Sequence, residues 1–340
     1  MNEKGDLLSE SLQKLERLPT EIGGGKSRGD RDQQWIEETE EKAQRGNADA
    51  QFSLGQYHYS QGNHETALRY FSSAEGGGSA QASYQLGVMF YDGVDAPQNP
   101  KRGFQHMLKA AQSGNSVGAG AQYNIGRAFY QGYGVAQSDE EAERWWLKAG
   151  EGRRSVEGGE GEKEEEQGGE WESVVRAQNT LGMFYSRQET QDLGKSLHWH
   201  SCAAENGHLE SMAAAGLMRL NGRGCPRDVT AGLQLLKNAA AGGSLYAAGL
   251  LALHYFTSKL FSKSTETALS VCELQSDAGS LSVLERKGMS LACFTLARSL
   301  QLGQAVSQDL DKAIQYFTKA KGYDKDTVAE LHTQVIHGLL

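Results

Sequence analysis

The stretch "YNIGRAFYQGYGVAQSDEEAERWWLKAGEG", residues 123–152, decides how this chain is read. Gly126, Gly132 and Gly134 lie close together ahead of an apolar run with helical spacing, which is how a phosphate-binding loop begins. A nucleotide loop of that kind needs a strand before it, and a P-loop also needs a Lys-Ser/Thr after it. Here a helical pattern precedes the glycines and Val135-Ala136 follow them. The same glycines return as Gly222 and Gly224 in NGRGCPRD. A loop that recurs within one chain is architecture, so no nucleotide or other cofactor is expected.

The recurrence extends along the chain. YQLGVMFYDG (84–93) matches YNIGRAFYQG (123–132), and the frame returns as FSLGQYHYSQG from Phe52, NTLGMFYS from Asn179 and AAAGLMRLNG from Ala213. Weaker copies are GLLALHYF from Gly249 and FTLARSLQLG from Phe294. The small residue of the frame falls at Gly55, Gly87, Gly126, Gly182, Gly216, Ala252 and Ala297, with gaps of 32, 39, 56, 34, 36 and 45 residues. All but the gap of 56 suit a repeat of one helix pair.

Each copy is followed by a second pattern, small-x-x-bulky-x-x-x-small. It reads ALRYFSSA (67–74), GFQHMLKA (103–110), AERWWLKA (142–149), SLHWHSCA (196–203), GLQLLKNA (232–239) and AIQYFTKA (313–320). Positions i, i+3 and i+7 share one helical face, so small residues admit a partner helix and the bulky one fills the space left. Trp145 and Trp199 take the bulky position, and Ser138 with Glu141 three residues on should cap its second helix. Each unit is an antiparallel helix pair that buries its apolar face only against its neighbours. The fold expected is all-α: a right-handed α-solenoid of about seven helix-pair repeats.

The long gap holds 151–170, EGRRSVEGGEGEKEEEQGGE, with eight glutamates against three basic residues. That is more than half of the chain's net charge of -9. So few apolar groups cannot offset the entropy of ordering, and the segment is expected to be a disordered insertion. The organisation expected is therefore an N-terminal segment, 1–46, partly disordered and then helical; repeats over 47–150; the insertion; and repeats with a C-terminal helix over 171–340.

Composition narrows the function. The negative charge disfavours a nucleic-acid or anionic-membrane surface. Cys202, Cys225, Cys272 and Cys293 form no CxxC pair, which argues against a zinc ribbon or disulfide framework and fits a reduced cytoplasm. The first eighteen residues are charged throughout and nowhere do 18 apolar residues run together, so neither a secretory signal nor a membrane span is expected. His198, His200 and Cys202 invite a metal reading, but residues two apart on a helix point about 200° apart, so a structural role is expected instead. No GxSxG, HExxH or clustered carboxylate pair occurs, and no catalytic or metal residue is assigned.

The segments LGVMFYDG, IGRAFYQGYGVAQSDEEAERWWLKAGEG and HSCAAENGHLES resemble Sel1-like repeats, relatives of tetratricopeptide repeats with a glycine-rich link. The signature is nearly complete from 121 to 152; Ala252, Ala297 and Ser258-Lys259 depart from it. Over roughly 48–335 the chain further resembles Sel1-like proteins that bind the cytoplasmic tail of a low-density lipoprotein receptor-related protein, megalin. That resemblance implies a cytoplasmic, non-catalytic scaffold with a receptor tail as partner. An adaptor for a ubiquitin-ligase or chaperone assembly is the alternative. In such arrays the first helices line a concave face. The inward positions are expected to be Tyr59, Tyr91 and Tyr130, one turn past the glycine, and Gln56, Val88, Arg127 and Met183, directly after it. Tyrosine gives a peptide large contact area at low entropic cost, and Arg127 is a charge that an apolar helix would not spare on a packed face. The tyrosines could equally belong to the core.

Overall fold

Runs of small and apolar residues at helical spacing, punctuated by glycine and capped by Ser, Asn or Asp, leave the chain few options besides short helices. The computed structural model describes residues 28–94, 98–112, 117–152, 164–274, 278–338 and 340. These residues form sixteen helices and no strand. They divide into two compact units, Met1–Ala177 and Gln178–Leu340.

In the N-terminal unit an entry helix α1 (Arg28–Gln44) is followed by three helix pairs. These are α2 (Ala48–Ser60) with α3 (His64–Gly76), α4 (Ala80–Asp92) with α5 (Pro100–Gln112), and α6 (Gly118–Gln131) with α7 (Asp139–Gly150). Helix α8 (Glu164–Phe184) then passes into the C-terminal unit, where it precedes α9 (Leu193–Glu205). The pairs α10 (Leu209–Asn221) with α11 (Val229–Ala241), α12 (Leu245–Thr257) with α13 (Phe261–Cys272) and α14 (Val283–Leu302) with α15 (Leu310–Tyr323) follow, and α16 (Lys325–Ile336) closes the chain. The fold is an all-α array of the α-solenoid class.

Within each pair the packing is a notch and a plug. A β-carbon on Gly55 would lie 2.6 Å from the Phe71 ring, one on Gly126 2.5 Å from Trp146 Cδ1 and Nε1, and one on Gly182 2.6 Å from His200 Nδ1. Met107 and Leu236 fill the notches of Gly87 and Gly216. These plugs all stand one residue later than the bulky position read from the sequence. Trp146, 2% exposed, is therefore the core tryptophan of its repeat, and its Nε1 donates to Tyr123 O at 3.3 Å. Trp145 is only partly buried, at the edge of the cluster that holds Met107 and Ile125, with Lys148 Nζ 4.3 Å from its ring centroid. The flanking small residues Ala67, Ala74, Ala142, Ala149, Ser196 and Ala203 are fully buried, as the pattern requires.

Where the frame carries Ala252 instead of glycine, its partner helix offers Ala268 in the same buried cluster. Close approach moves elsewhere: α12 and α14 meet at Gly249 and Gly288, where a β-carbon on either would strike the other helix's backbone. The glycine links are equally architectural. Gly132 and Gly134 have φ of 66° and 81°, Gly222 and Gly224 of 67° and 79°. A β-carbon on Gly134 would strike the carbonyl of Pro100, and one on Gly224 the carbonyl of Leu193. Each link thus rests on the first turn of the preceding repeat's second helix. Ala305 takes the place of Gly134 in the last link and keeps the left-handed backbone, at φ 61°.

Four second helices begin on side-chain caps, where Ser138, Asp192, Asp228 and Asp309 each accept a backbone N–H of the first turn, whereas α3 and α13 lack one. Ser138 Oγ accepts from Glu141 N at 3.2 Å, but Glu141 turns to Arg144 at 2.9 Å rather than closing a capping box. Between neighbouring pairs, Glu75 of α3 joins His106 Nδ1 at 2.6 Å and Lys109 Nζ at 3.0 Å, both on α5. Most of the acidic insertion expected over 151–170 lies outside the described residues, as do residues 1–27. The backbone of 164–170 already belongs to α8, so the interruption is shorter than composition implied.

Candidate functional site

The residues after each notch glycine point away from the plug, because one helical step turns the side chain by about 100°. Arg127 and Gln56 are half-buried there and Met183 is 58% exposed. Val88 is different: at 6% exposure it packs with Met107, Ala110, Ala121 and Ile125. Tyr59, 8% exposed, lies edge-on to His64 with centroids 4.8 Å apart, inside the core of its own pair. Val88 and Tyr59 are therefore core residues: the inward surface position expected of Val88 is corrected, and for Tyr59 the core alternative holds. The tyrosine position lies about 40° from the notch glycine around the helix, so it turns toward the second helix.

Tyr91 and Tyr130 are half-buried for the same reason. Tyr130 packs against Trp146 at 5.6 Å between centroids. Tyr91 lies over Gly103, whose missing side chain leaves room for the ring. It also stacks on Tyr133 at 5.4 Å and 27°, and Tyr133 Oη donates to Tyr91 O at 3.2 Å.

This is where the structure draws site residues together. The Tyr91 hydroxyl is buried and has no hydrogen-bond partner among the described residues. Burial and the neighbouring Tyr133 push its pKa up, while Arg127, from the next repeat, pulls it down. Arg127 itself forms no ion pair among the described residues. Tyr91, Arg127 and Tyr133 thus form one polar corner with two donors, a guanidinium and a phenol, lacking an acceptor. Sequence reading missed Tyr133. Its only signal was an aromatic residue between the two link glycines, where the other links carry Arg223 and Gln304.

The histidine motif separates as helical geometry requires. His198 is exposed, its Nε2 3.7 Å from Cys202 Sγ. His200 is the buried plug of the Gly182 notch, with Nδ1 3.3 Å from Ser211 Oγ, which donates to Asn179 Oδ1 at 2.9 Å. Because that hydroxyl is spent on Asn179, the imidazole donates to it from Nδ1. Burial, then the nearby His208, lowers the His200 pKa to about 4. Among the described residues no three His, Cys, Asp or Glu side chains gather as a metal site would require. No helix there is long and apolar enough to cross a membrane.

The Sel1 repeat profile matches residues 48–78, 80–115, 119–152, 175–208, 209–244 and 290–321. The chain belongs to the Sel1 repeat family. The repeat built on Ala252 and Ala268 falls between the last two matches. Sel1 repeats serve as scaffolds for contacts between proteins. Among curated proteins the chain is similar to the alginate biosynthesis protein AlgK of Pseudomonas aeruginosa, 42% identical over 53 residues, which is 16% of this chain and 11% of AlgK.

Among solved structures, the chain is similar to c5321, a protective antigen present in uropathogenic Escherichia coli strains that displays an SLR fold. It superposes with a TM-score of 0.57 at 26% identity over 86% of this chain and 65% of that one. A Sel1 repeat protein from Oxalobacter formigenes, 21% identical, gives a TM-score of 0.56 over 80% of this chain and 96% of its own. The chain thus spans about a tenth of the length of AlgK and just under two thirds of c5321.

Proposed function

We propose that this chain is a non-catalytic scaffold holding a linear segment of another protein along the free faces of its first helices. Arg127 and Tyr91 receive an acidic side chain of that segment. The observation that supports the reading is the half-buried Arg127, without a carboxylate among the described residues, beside a buried Tyr91 hydroxyl that lacks an acceptor. Both groups are donors, and a carboxylate offers two oxygens with room for several bonds. Within the same unit Gln56 extends contact along the helical register, and Tyr130 packs on Trp146 beneath it. The partner supplied by the resemblance is the cytoplasmic tail of the low-density lipoprotein receptor-related protein megalin, with the scaffold in the cytoplasm.

Titrating a fluorescent tail peptide with the full chain tests this, with a scrambled peptide as control. Arg127→Ala should weaken binding about tenfold, the value of one charge-assisted contact. Arg127→Lys should recover part of the loss. Tail binding no tighter than the scrambled control would remove this partner and turn the reading to another assembly, such as a ubiquitin-ligase or chaperone complex. Tight binding untouched by Arg127→Ala would remove the site instead.

A further inference from the structure

Two cysteines that no spacing motif linked converge in the C-terminal unit. Cys272 ends α13 and Cys293 lies in the middle of α14, yet their sulfurs are 3.1 Å apart. Both are free thiols, 4% and 0% exposed, packed among Ala268, Val271, Met289 and Leu296. That separation is shorter than the roughly 3.5–4.0 Å of ordinary apolar contact. A disulfide bond is about 2.05 Å, so about 1 Å of approach would form one. On α15, Lys319 places Nζ 2.7 Å from the Cys272 carbonyl oxygen. Its positive charge acts on both sulfurs: the hydrogen bond from its neighbour and burial still push the Cys272 thiol up, while the shared hydrogen bond and then Lys319 bring Cys293 down, making it the more acidic of the two. The other two cysteines lack this setting: Cys202 faces His198, and Cys225 packs at the edge of the Leu197, Ala215 and Met218 cluster.

We propose that Cys272 and Cys293 form a dithiol that hydroperoxides convert to an internal disulfide, fastening α13 to α14. With the two sulfurs 3.1 Å apart and sharing one hydrogen bond, the Cys293 thiolate attacks a peroxide oxygen. The O–O bond breaks, hydroxide leaves and takes up a proton, and a sulfenic acid remains. Cys272 sulfur then displaces that oxygen as a second water, closing the S–S bond. Two thiols and one hydrogen peroxide give one disulfide and two waters. Burial selects a small oxidant, and once formed the bond is shielded from reductants while the unit stays folded.

The test uses the full chain carrying Cys202→Ser and Cys225→Ser, treated with limiting hydrogen peroxide. Peptide mapping should find residue 272 joined to 293 with loss of two hydrogens. The denatured protein should show no free thiol, and the C-terminal unit should melt higher. Lys319→Met should slow the reaction severalfold, and Cys272→Ser should stop at sulfenic acid or beyond. Oxygen adducts on either cysteine without the cross-link, links only between chains, or two free thiols after treatment would each overturn the proposal. An oxidation rate unchanged by Lys319→Met would overturn the part given to that cation. These readings rest on the paired thiols themselves, so a poorly folding Cys272→Ser chain leaves them decisive.

Discussion

One methyl group at Gly126 should lower the stability of the N-terminal unit by about 1–3 kcal/mol. The added carbon would lie 2.5 Å from two atoms of the Trp146 ring, which is 2% exposed. Reaching ordinary contact takes about 1 Å of ring movement. The bond from Nε1 to Tyr123 O, already 3.3 Å long, would then break. Overpacking costs about 1–3 kcal/mol and the lost bond about 1, while exchanging glycine for alanine within a helix returns about 1.

For a unit of this size, each kcal/mol moves the midpoint by about 2–4 °C, so Gly126→Ala should melt roughly 3–10 °C lower. Thermal and urea unfolding followed by tryptophan fluorescence and far-UV circular dichroism would measure it. Trp146→Leu alone should also destabilise, by leaving a cavity. The two together should be less harmful than their sum by at least about 1 kcal/mol, because the methyl then enters space the ring vacated. Leucine is a natural plug here: in the Gly216 notch an added β-carbon would lie 3.1 Å from Leu236 Cγ. A neutral Gly126→Ala, or single changes that add to within about 0.5 kcal/mol, would refute the notch-and-plug account.

Three further outcomes follow from the same packing. Ala305→Gly should stabilise the C-terminal unit by about 0.5–1 kcal/mol, since it relieves a left-handed alanine at φ 61°, and urea midpoints would show it. His200 is held neutral with its pKa lowered from 6.5 to about 4, so the unfolded chain takes up its proton first. Its contribution is therefore complete above about pH 6.5, falls as pH drops, and is lost by about pH 4, a change of about 3 kcal/mol. His200→Leu should flatten that acid slope, and equal slopes in wild type and variant would refute the assignment. Glu75→Gln should loosen α3 from α5 and speed amide exchange at the end of α3, because the contacts of its carboxylate with His106 Nδ1 and Lys109 Nζ are both weakened.

Sequence alone was enough for the repeat, because helical period, caps and turn glycines are local and each copy repeats the same constraint. It gave the helix pairs, the glycine links and the burial of Ala67, Ala142 and Ala203 before any coordinates. It placed the plug one residue early, since positions i+3 and i+4 differ by only about 100° and both carry large side chains, as in Trp145-Trp146. The candidate site was half legible: Arg127 stood out as a charge in an apolar helix, but Val88 read as an inward surface position and is core, and the choice between surface and core left open for Tyr59 falls to the core.

Tertiary structure decided the rest, because those facts depend on partners distant in sequence. Tyr133 meets Tyr91 across 42 residues, His200 fills a notch that four other repeats fill with apolar side chains, and Cys272 finds Cys293 on another helix. Period tells a residue which side of its own helix it occupies. Only the packed array tells it what waits there.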